Sequence, residues 1–255
     1  MSVNLFGLLG SILMNKKTMQ NGSKVIIDLS NPLELPLHYI ERLNNIKELC
    51  ESIEFSDEFV QHQNVRGLVR DINEYCLQNK IVGIHYTRAE PESILKKGLL
   101  IRNGRDIRET FLNEYGYLFS EDELIYMRKV WHKYYRNQQE SVRDGRVFFN
   151  FTETALDNRG AEFLLGMYGG EQINMCFEPE EPIGSKLNSI GKAMVVRCSL
   201  DPHRIKTFIE HPWGQILMSS FHSLHNHEVH QIDQDGYQFV PVKPEDILEI
   251  RVLDQ

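Results

Sequence analysis

The chain has 255 residues, of which 41% are hydrophobic and 25% are charged, and its net charge at pH 7 is −8. These values are typical of a globular protein with one large domain, or with one domain and an added subdomain. The acidic balance argues against a protein that coats nucleic acid with its whole surface, but it leaves room for a local basic patch.

Four cysteines, Cys50, Cys76, Cys176 and Cys198, are widely spaced and form no C-x-x-C pair. This spacing predicts reduced thiols and a cytoplasmic location. The apolar stretch LFGLLGSILM near the start has ten residues, which is too short to span a bilayer, and it lacks the flanks of a secretory signal. We expect a short docked helix there, or an extension before a start at Met14, and no membrane partner.

Residues 34–79 have a helical pattern. Apolar residues occur at every third position from Leu37 to Leu49, which is typical of one helix face. A second helix is predicted to start at Ser56 as its N-cap. Residues 1–79 are therefore predicted to be a helical N-terminal extension packed on the domain formed by residues 80–255.

The period changes at residue 80. KIVGIHYT is typical of a strand, and EPESILKKG of a helix with Pro91 in its first turn and Gly98 at its end. A helix is predicted over residues 106–117, and the next one opens with a capping box, Ser120 to Glu123. GRVFFNFT follows as a strand, ETALDNRGAEFLLGMYGG as a helix, and AMVVRCSL, EVHQI, YQFVPV and ILEIRVL as strands. Because loops are expected to join most of these strands, we predict an α+β fold with a largely antiparallel sheet.

The first strand of this region ends in three residues with hydrogen-bonding side chains. In a strand, His85 and Thr87 point to one face and Tyr86 points to the other. Such a pair on an apolar strand is either a satisfied polar pair in the core or a ligand contact. Position in the chain favours the second alternative, because the aromatic strand RVFFNFT and then Glu228, at the start of EVHQI, follow in order.

Three motifs occur in this order: HYT with ESILKKGLL, then RVFFNFT, then Glu228 ahead of VPVKPEDILEI. Together they resemble the motifs of the ADP-ribosyltransferase superfamily, in its His-Tyr-Glu branch. The resemblance covers about residues 80 to 255. It implies an ADP-ribosyltransferase-like core built on a split antiparallel β-sheet, and NAD+ as the co-substrate. No metal is implied.

The resemblance also implies a role for individual residues. His85 would bind the adenosine ribose, the Tyr86 backbone would hold the nicotinamide amide, and Thr87 would lie near the nicotinamide ribose. An aromatic residue, Phe148 or Phe149, would stack on nicotinamide. An arginine, Arg102 or Arg105, would bind the pyrophosphate.

Glu228 would bind the 2′-hydroxyl of the nicotinamide ribose and stabilise the positive charge that develops as nicotinamide leaves. Glu210 and Glu171 compete for this role. The family usually has tyrosine where this chain has Phe148 and Phe149, and Tyr168 is a candidate replacement. Asn226 lies two residues before Glu228, where arginine-modifying relatives usually have a glutamate, so a nucleobase amine or an amide is favoured as acceptor over protein arginine.

Residues 126–146 form a basic and aromatic region that allows two interpretations. Arg128, Lys129, Trp131 and Lys133 could bind single-stranded nucleic acid, with cations on phosphates and rings on bases. Alternatively, the segment is an amphipathic helix with its aromatic face in the core. The histidine-rich run that contains Glu228, FHSLHNHEVH, matches no zinc motif.

The leading hypothesis is an NAD-dependent mono-ADP-ribosyltransferase, a toxin or defence effector of bacterial or phage type, which modifies a base in RNA or single-stranded DNA. An antitoxin is one partner that this hypothesis allows. The alternatives are a protein-directed ADP-ribosyltransferase, an RNA 2′-phosphotransferase, and a catalytically inactive binding module of the same fold.

Overall fold

A computed structural model of the chain describes residues 12–13, 24–135, 142–232 and 235–253. The strands are β1 (Ile12–Leu13), β2 (Ile26–Ile27), β3 (Lys80–Ala89), β4 (Val147–Asn150), β5 (Lys192–Leu200), β6 (Asp235–Gln238) and β7 (Ile247–Val252). The α-helices are α1 (Leu37–Asn44), α2 (Lys47–Ser52), α3 (Ser56–Gln61), α4 (Arg66–Gln78), α5 (Pro91–Lys97), α6 (Gly104–Tyr115), α7 (Glu121–Tyr134), α8 (Thr154–Asp157), α9 (Glu162–Gly166), α10 (Glu171–Asn174), α11 (Pro182–Ser189) and α12 (Pro212–His225). Short 3-10 helices cover Pro32–Glu34, Gly116–Leu118, Pro202–Arg204 and Pro244–Asp246.

The strands form one sheet in the order β1-β7-β5-β3-β4-β6, with antiparallel neighbours, and β2 pairs in parallel with the start of β3. β5 accompanies β3 along nearly its whole length, from Ile81 to Ala89. On the opposite edge, β4 pairs with β3 at Ile84 and Asn150, and then continues beside β6. The prediction of an α+β protein with a largely antiparallel sheet is confirmed at this level.

One face of the sheet is covered by the N-terminal helices and α12. A single apolar cluster joins Phe59 of α3, Ile72 of α4 and Leu217 of α12 to the sheet residue Val196. Helices α12 and α4 approach so closely that a methyl group at Gly214 would lie 1.9 Å from a backbone oxygen of α4. Residues 24–79 therefore share their core with the rest of the chain, and the β2–β3 pair crosses the predicted boundary at residue 80.

The opposite face carries a second, smaller apolar cluster. Ala155 of α8 and Ala161, the residue before α9, pack against Ile84 and Tyr86 of β3. A separate cluster under α6, α7 and α11 holds bulky residues of these helices and of the loops beside them: Phe111, Met127, Trp131, Phe177 and Leu187.

Several local predictions are confirmed. KIVGIHYT lies in β3, and α5 has Pro91 at its start and Gly98, with a φ of 71°, at its end. The predicted helix over 106–117 corresponds to α6, and the capping box of Ser120 and Glu123 is present at the start of α7.

Other predictions are wrong. The second half is not joined mainly by loops, because α8 to α11 lie between β4 and β5 and the 14-residue α12 lies between β5 and β6. The segment EVHQI is a turn and a loop, and the single helix expected around residues 153–170 is two short helices. Ser56 is the first residue of α3 rather than its cap, and its hydroxyl is hydrogen-bonded to His222 instead of to the first turn of the helix.

The predicted helix near the start of the chain lies outside the described residues, except for Ile12–Leu13, which form β1 and pair with β7. Within the described ranges, no helix has the length and apolar character needed to cross a membrane.

Candidate functional site

A cavity of about 620 Å³ lies between β3, β4 and α5, within the usual range of about 300–1,000 Å³ for small-molecule sites. Six of the residues that the resemblance assigned to NAD+ binding line this one cavity, whereas Glu228 and Arg105 do not: His85, Tyr86, Thr87, Arg102, Phe148 and Phe149. Arg105, the alternative to Arg102, is exposed and forms an ion pair with Glu109 on its own helix.

The cavity lies along the edge of β3. His85 and Tyr86 point to opposite faces of the strand, yet both line the same cavity. β5 occupies one edge of β3 from Ile81 to Ala89, whereas the residues of β4, on the other edge, also line the cavity. The cavity therefore follows the β4 side of β3, beyond the single pairing of Ile84 with Asn150.

His85 bridges the two strands at this point. Its Nδ1 lies 2.9 Å from the Phe148 carbonyl oxygen. A carbonyl only accepts hydrogen bonds, so Nδ1 carries the proton and Nε2 keeps a lone pair in the neutral ring. Burial lowers the pKa of His85 below its ordinary value of 6.5, although the bond to the carbonyl acts in the opposite direction. The ring is thus neutral at pH 7 and offers Nε2 as an acceptor for a hydroxyl.

Cations outnumber carboxylates around the cavity. Among the described residues, its lining includes four cationic side chains and two carboxylates, an excess of two positive charges in a chain whose net charge is −8. Such local charge raises the concentration of an anionic ligand in a cleft. The cations are Lys97, Arg102, Arg143 and Arg146, and the carboxylates are Glu171 and Asp235.

The four cationic side chains differ in their contacts with other residues. Arg143 forms an ion pair with Glu171, with 2.6 Å between Nε and Oε2. The Arg146 guanidinium lies 4.5 Å from the ring centre of Tyr237, and its buried Nε has no hydrogen-bond partner within the described residues. Lys97 was missed by the sequence analysis, although its place at the end of α5, beside the predicted strand, was a usable signal.

The structure does not bring Glu228 into this cavity. Glu228 is exposed on the turn that follows α12, where its backbone N–H donates to Oδ1 of Asn226. The amide of Asn226 donates to the carbonyls of Cys50 and Ile53. Asn226 therefore anchors the end of α12 on the N-terminal helices, and its side chain does not face the site of His85.

Two carboxylates reach the cavity instead. Glu171, one of the competing candidates, lines it, whereas Glu210 is exposed outside it. Asp235, which the sequence analysis missed, also lines the cavity and lies directly opposite Asn150 in the β4–β6 pair. Its neighbours Asp233 and Gln234 lie outside the described residues. The Asp235-Gly236 pair ahead of the predicted strand YQFVPV is a turn signal, but it gives no indication of a place in the cavity.

The basic and aromatic helix α7 is amphipathic. Trp131 is buried and its Nε1 donates to the Ile173 carbonyl at 2.8 Å, and Tyr135 is buried with its hydroxyl bonded to the Glu171 carbonyl. The prediction that Trp131 contacts substrate is wrong, because its ring packs in the core. Three predicted cations of α7 are exposed, and none of them lines the cavity: Arg128, Lys129 and Lys133.

The histidine-rich run is divided between core and surface. His222 is fully buried, with Nδ1 3.1 Å from the Ser56 hydroxyl and Nε2 3.0 Å from the Ile53 carbonyl, and it stacks on Phe59. His227 and His230 are exposed. In the part of the chain that the structure describes, no group of three or more His, Cys, Asp or Glu side chains is arranged to hold a metal ion.

Comparisons with known protein families, with curated proteins and with solved structures find no match for this chain.

Proposed function

We propose that the chain is an NAD+-dependent mono-ADP-ribosyltransferase with an ADP-ribosyltransferase-like core, and that the dinucleotide binds in the cavity beside β3. One observation carries the proposal: six residues from three separate segments, chosen for NAD+ binding from the sequence, line a single cavity. The excess positive charge of that cavity supports an anionic ligand such as a dinucleotide.

Each group of residues has a task in this proposal. The Nε2 lone pair of His85 accepts a hydrogen bond from a ribose hydroxyl, because Nδ1 is already committed to Phe148. Arg102 and Lys97 neutralise the pyrophosphate, for which guanidinium offers a two-pronged grip. Phe148, which is half-buried, has ring surface left for nicotinamide, whereas Phe149 is only 1% exposed.

The reaction breaks the bond between C1′ of the ribose and the nicotinamide nitrogen, and the bonding electron pair leaves with nicotinamide. The acceptor nitrogen then forms a bond to C1′ and releases a proton. A fixed carboxylate near C1′ stabilises the positive charge that develops between these two events. Glu228 was assigned to this role from its motif, and Asp235 and Glu171 are the carboxylates that line the cavity.

Calorimetric titration of the purified chain with NAD+, together with detection of released nicotinamide, tests the proposal. His85→Ala should abolish NAD+ binding, whereas His227→Ala, which changes an exposed histidine, should leave it unchanged. The near-isosteric variants Glu228→Gln, Asp235→Asn and Glu171→Gln identify the carboxylate, since the required one loses nicotinamide release while keeping NAD+ binding. Absence of NAD+ binding by the unchanged chain would refute the proposal.

A second candidate function is a catalytically inactive NAD+-binding module of the same fold. The exposed position of Glu228, outside the cavity, favours this alternative. The same titration separates the two functions, because an inactive module binds NAD+ without releasing nicotinamide in the presence of nucleic acid or protein acceptors.

A further inference from the structure

A row of exposed and half-buried rings lies beside the cavity, on the neighbouring strands β4 and β6 and on the segments next to β6. Phe149 and Phe151 point towards α12, as the 4.9 Å contact of Phe151 with Trp213 shows. Phe148 therefore points to the opposite face, where α9 packs on β3 and β5. We call the following residues on that face the aromatic strip: Arg146, Phe148, Lys206, Phe208, Tyr237 and Phe239.

Strand pairing places the centre of the strip in register. Tyr237 of β6 lies directly opposite Phe148 of β4, and on its other side it forms an isolated antiparallel bridge with Lys206. Directly opposed residues in a sheet place their side chains on the same face. A phenyl ring, a phenol ring and an ammonium group therefore lie side by side across the sheet.

The rings of the strip contact one another. Tyr237 lies 5.3 Å from Phe148, 5.4 Å from Phe239 and 6.3 Å from Phe208 between ring centres. Phe208 is 68% exposed and Phe239 is 53% exposed. The guanidinium of Arg146 lies 4.5 Å from the ring centre of Tyr237 and 5.6 Å from that of Phe239.

We propose that the aromatic strip binds an unpaired base of single-stranded nucleic acid, and that this base is the acceptor in the reaction proposed above, on which this inference rests. Bases stack on aromatic rings and on guanidinium planes. Lys206 is exposed beside the rings and is placed to neutralise a phosphate of the strand. Rings interleaved with cations fit an anionic strand of flat bases, whereas a purely apolar protein segment would leave both cations without a counter-charge.

The strip is continuous with the cavity. Arg146 and Phe148 belong to both, and Asp235, two residues before Tyr237 on β6, lines the cavity. All four bases carry an N–H group on their pairing edge, and the Asp235 carboxylate accepts hydrogen bonds from such a group. A base stacked on Tyr237 is thereby held at the entrance to the proposed dinucleotide site.

Fluorescence anisotropy with short labelled single strands of DNA and of RNA tests the proposal. Phe239→Ala should weaken binding of the strand by roughly 5- to 150-fold, the usual effect of removing one base-stacking ring, and Phe239→Trp should retain it. Phe55→Ala is the matched control, because Phe55 is 54% exposed at a remote place. NAD+ binding, measured by calorimetry on the same samples, should be unchanged in all three variants.

Each outcome decides between distinct ideas. Loss of strand binding in Phe239→Ala alone supports the aromatic strip, and a difference between the DNA and RNA arms identifies the sugar. Equal binding by Phe239→Ala and the unchanged chain, no binding of any strand, or capture of acidic peptides in place of strands would overturn it. If strand binding depends on Phe239 but NAD+ does not bind, then the proposed function fails while the base site stands.

Discussion

Replacing His222 by alanine should remove a buried polar contact that holds α12 on the N-terminal helices. Nε2 faces the carbonyls of Cys50 and Ile53, so it carries the proton, and Nδ1 accepts from the Ser56 hydroxyl. The imidazole also stacks on Phe59 with 4.4 Å between ring centres. The substitution therefore removes packing and three polar contacts at one position.

The expected loss is about 3 kcal/mol of unfolding free energy. Truncation of a large buried side chain to alanine typically costs roughly 2–5 kcal/mol. An unsatisfied buried hydroxyl adds to this cost, in the range of about 1–3 kcal/mol, here for Ser56. The carbonyls of Cys50 and Ile53 still accept hydrogen bonds from the amide of Asn226. The total loss of unfolding free energy should therefore lie near the lower end of these combined ranges. For a chain of this size the midpoint of thermal unfolding should fall by roughly 6–12 °C.

The loss should also depend on pH. Burial lowers the pKa of His222 below its ordinary value of 6.5, with the two carbonyl bonds opposing it. The unfolded chain then binds the proton more readily, so the stability contributed by the neutral ring is fully present above pH 6.5 and declines as the pH falls below it. The limiting slope is about 1.4 kcal/mol per pH unit.

Urea unfolding at several pH values between 5 and 8 should therefore show a gap between the unchanged chain and His222→Ala that narrows towards pH 5. His85 and His225, whose pKa values are also lowered by burial, remain in both proteins and cancel in the difference. The exposed His227→Ala is the control and should show no gap. A gap below about 1 kcal/mol at pH 7, or one that is independent of pH, would refute the reasoning.

Three further substitutions should change stability in urea unfolding. Gly214→Ala should lower the free energy of unfolding by about 1–3 kcal/mol, because its methyl group would lie 1.9 Å from the backbone oxygen of Val69. An unchanged urea midpoint would contradict the close approach of α12 and α4. Ser120→Ala should cost about 1 kcal/mol by removing the cap of α7, whereas Ser120→Asp should retain the cap. Arg197→Met should cost about 3 kcal/mol, because the Asp28 carboxylate loses its ion pair; a stabilised variant would contradict this.

The sequence specified those elements whose signals are local. In α7 a capping box marks the start, and in α5 a proline and a glycine mark both ends. Helix α12 shares the first-turn proline, Pro212, but has no single apolar face, since the consecutive residues Ile216, Leu217 and Met218 are all buried and point to different sides of the helix. A helix that is apolar around most of its surface has no amphipathic period, so α12 was missed and the following EVHQI was taken for a strand.

In the candidate site too, the residues with a local sequence signal were predicted and those placed by tertiary contacts were not. His85 and Phe148 were found because each lies in a strand with a distinct motif. That they meet, with 2.9 Å between Nδ1 and the carbonyl oxygen, depends on the point at which β4 leaves β3, which no local pattern encodes. Asp235 and Arg146 enter the cavity through the pairing of β4 with β6 and the approach of the 142–146 turn, both of which are tertiary features.

The shared core of α4 and α12 has a consequence for the order in which the molecule is made. The Trp213 backbone N–H donates to Asn73 Oδ1, 140 residues earlier in the chain. Ser56 is hydrogen-bonded to His222, which follows it by 166 residues. During synthesis, the N-terminal helices leave the ribosome long before the segment that covers them. Contacts of such sequence separation slow folding, and the uncovered apolar faces of the early chain are open to aggregation meanwhile. A nascent chain that ends before Pro212 should therefore depend on chaperones.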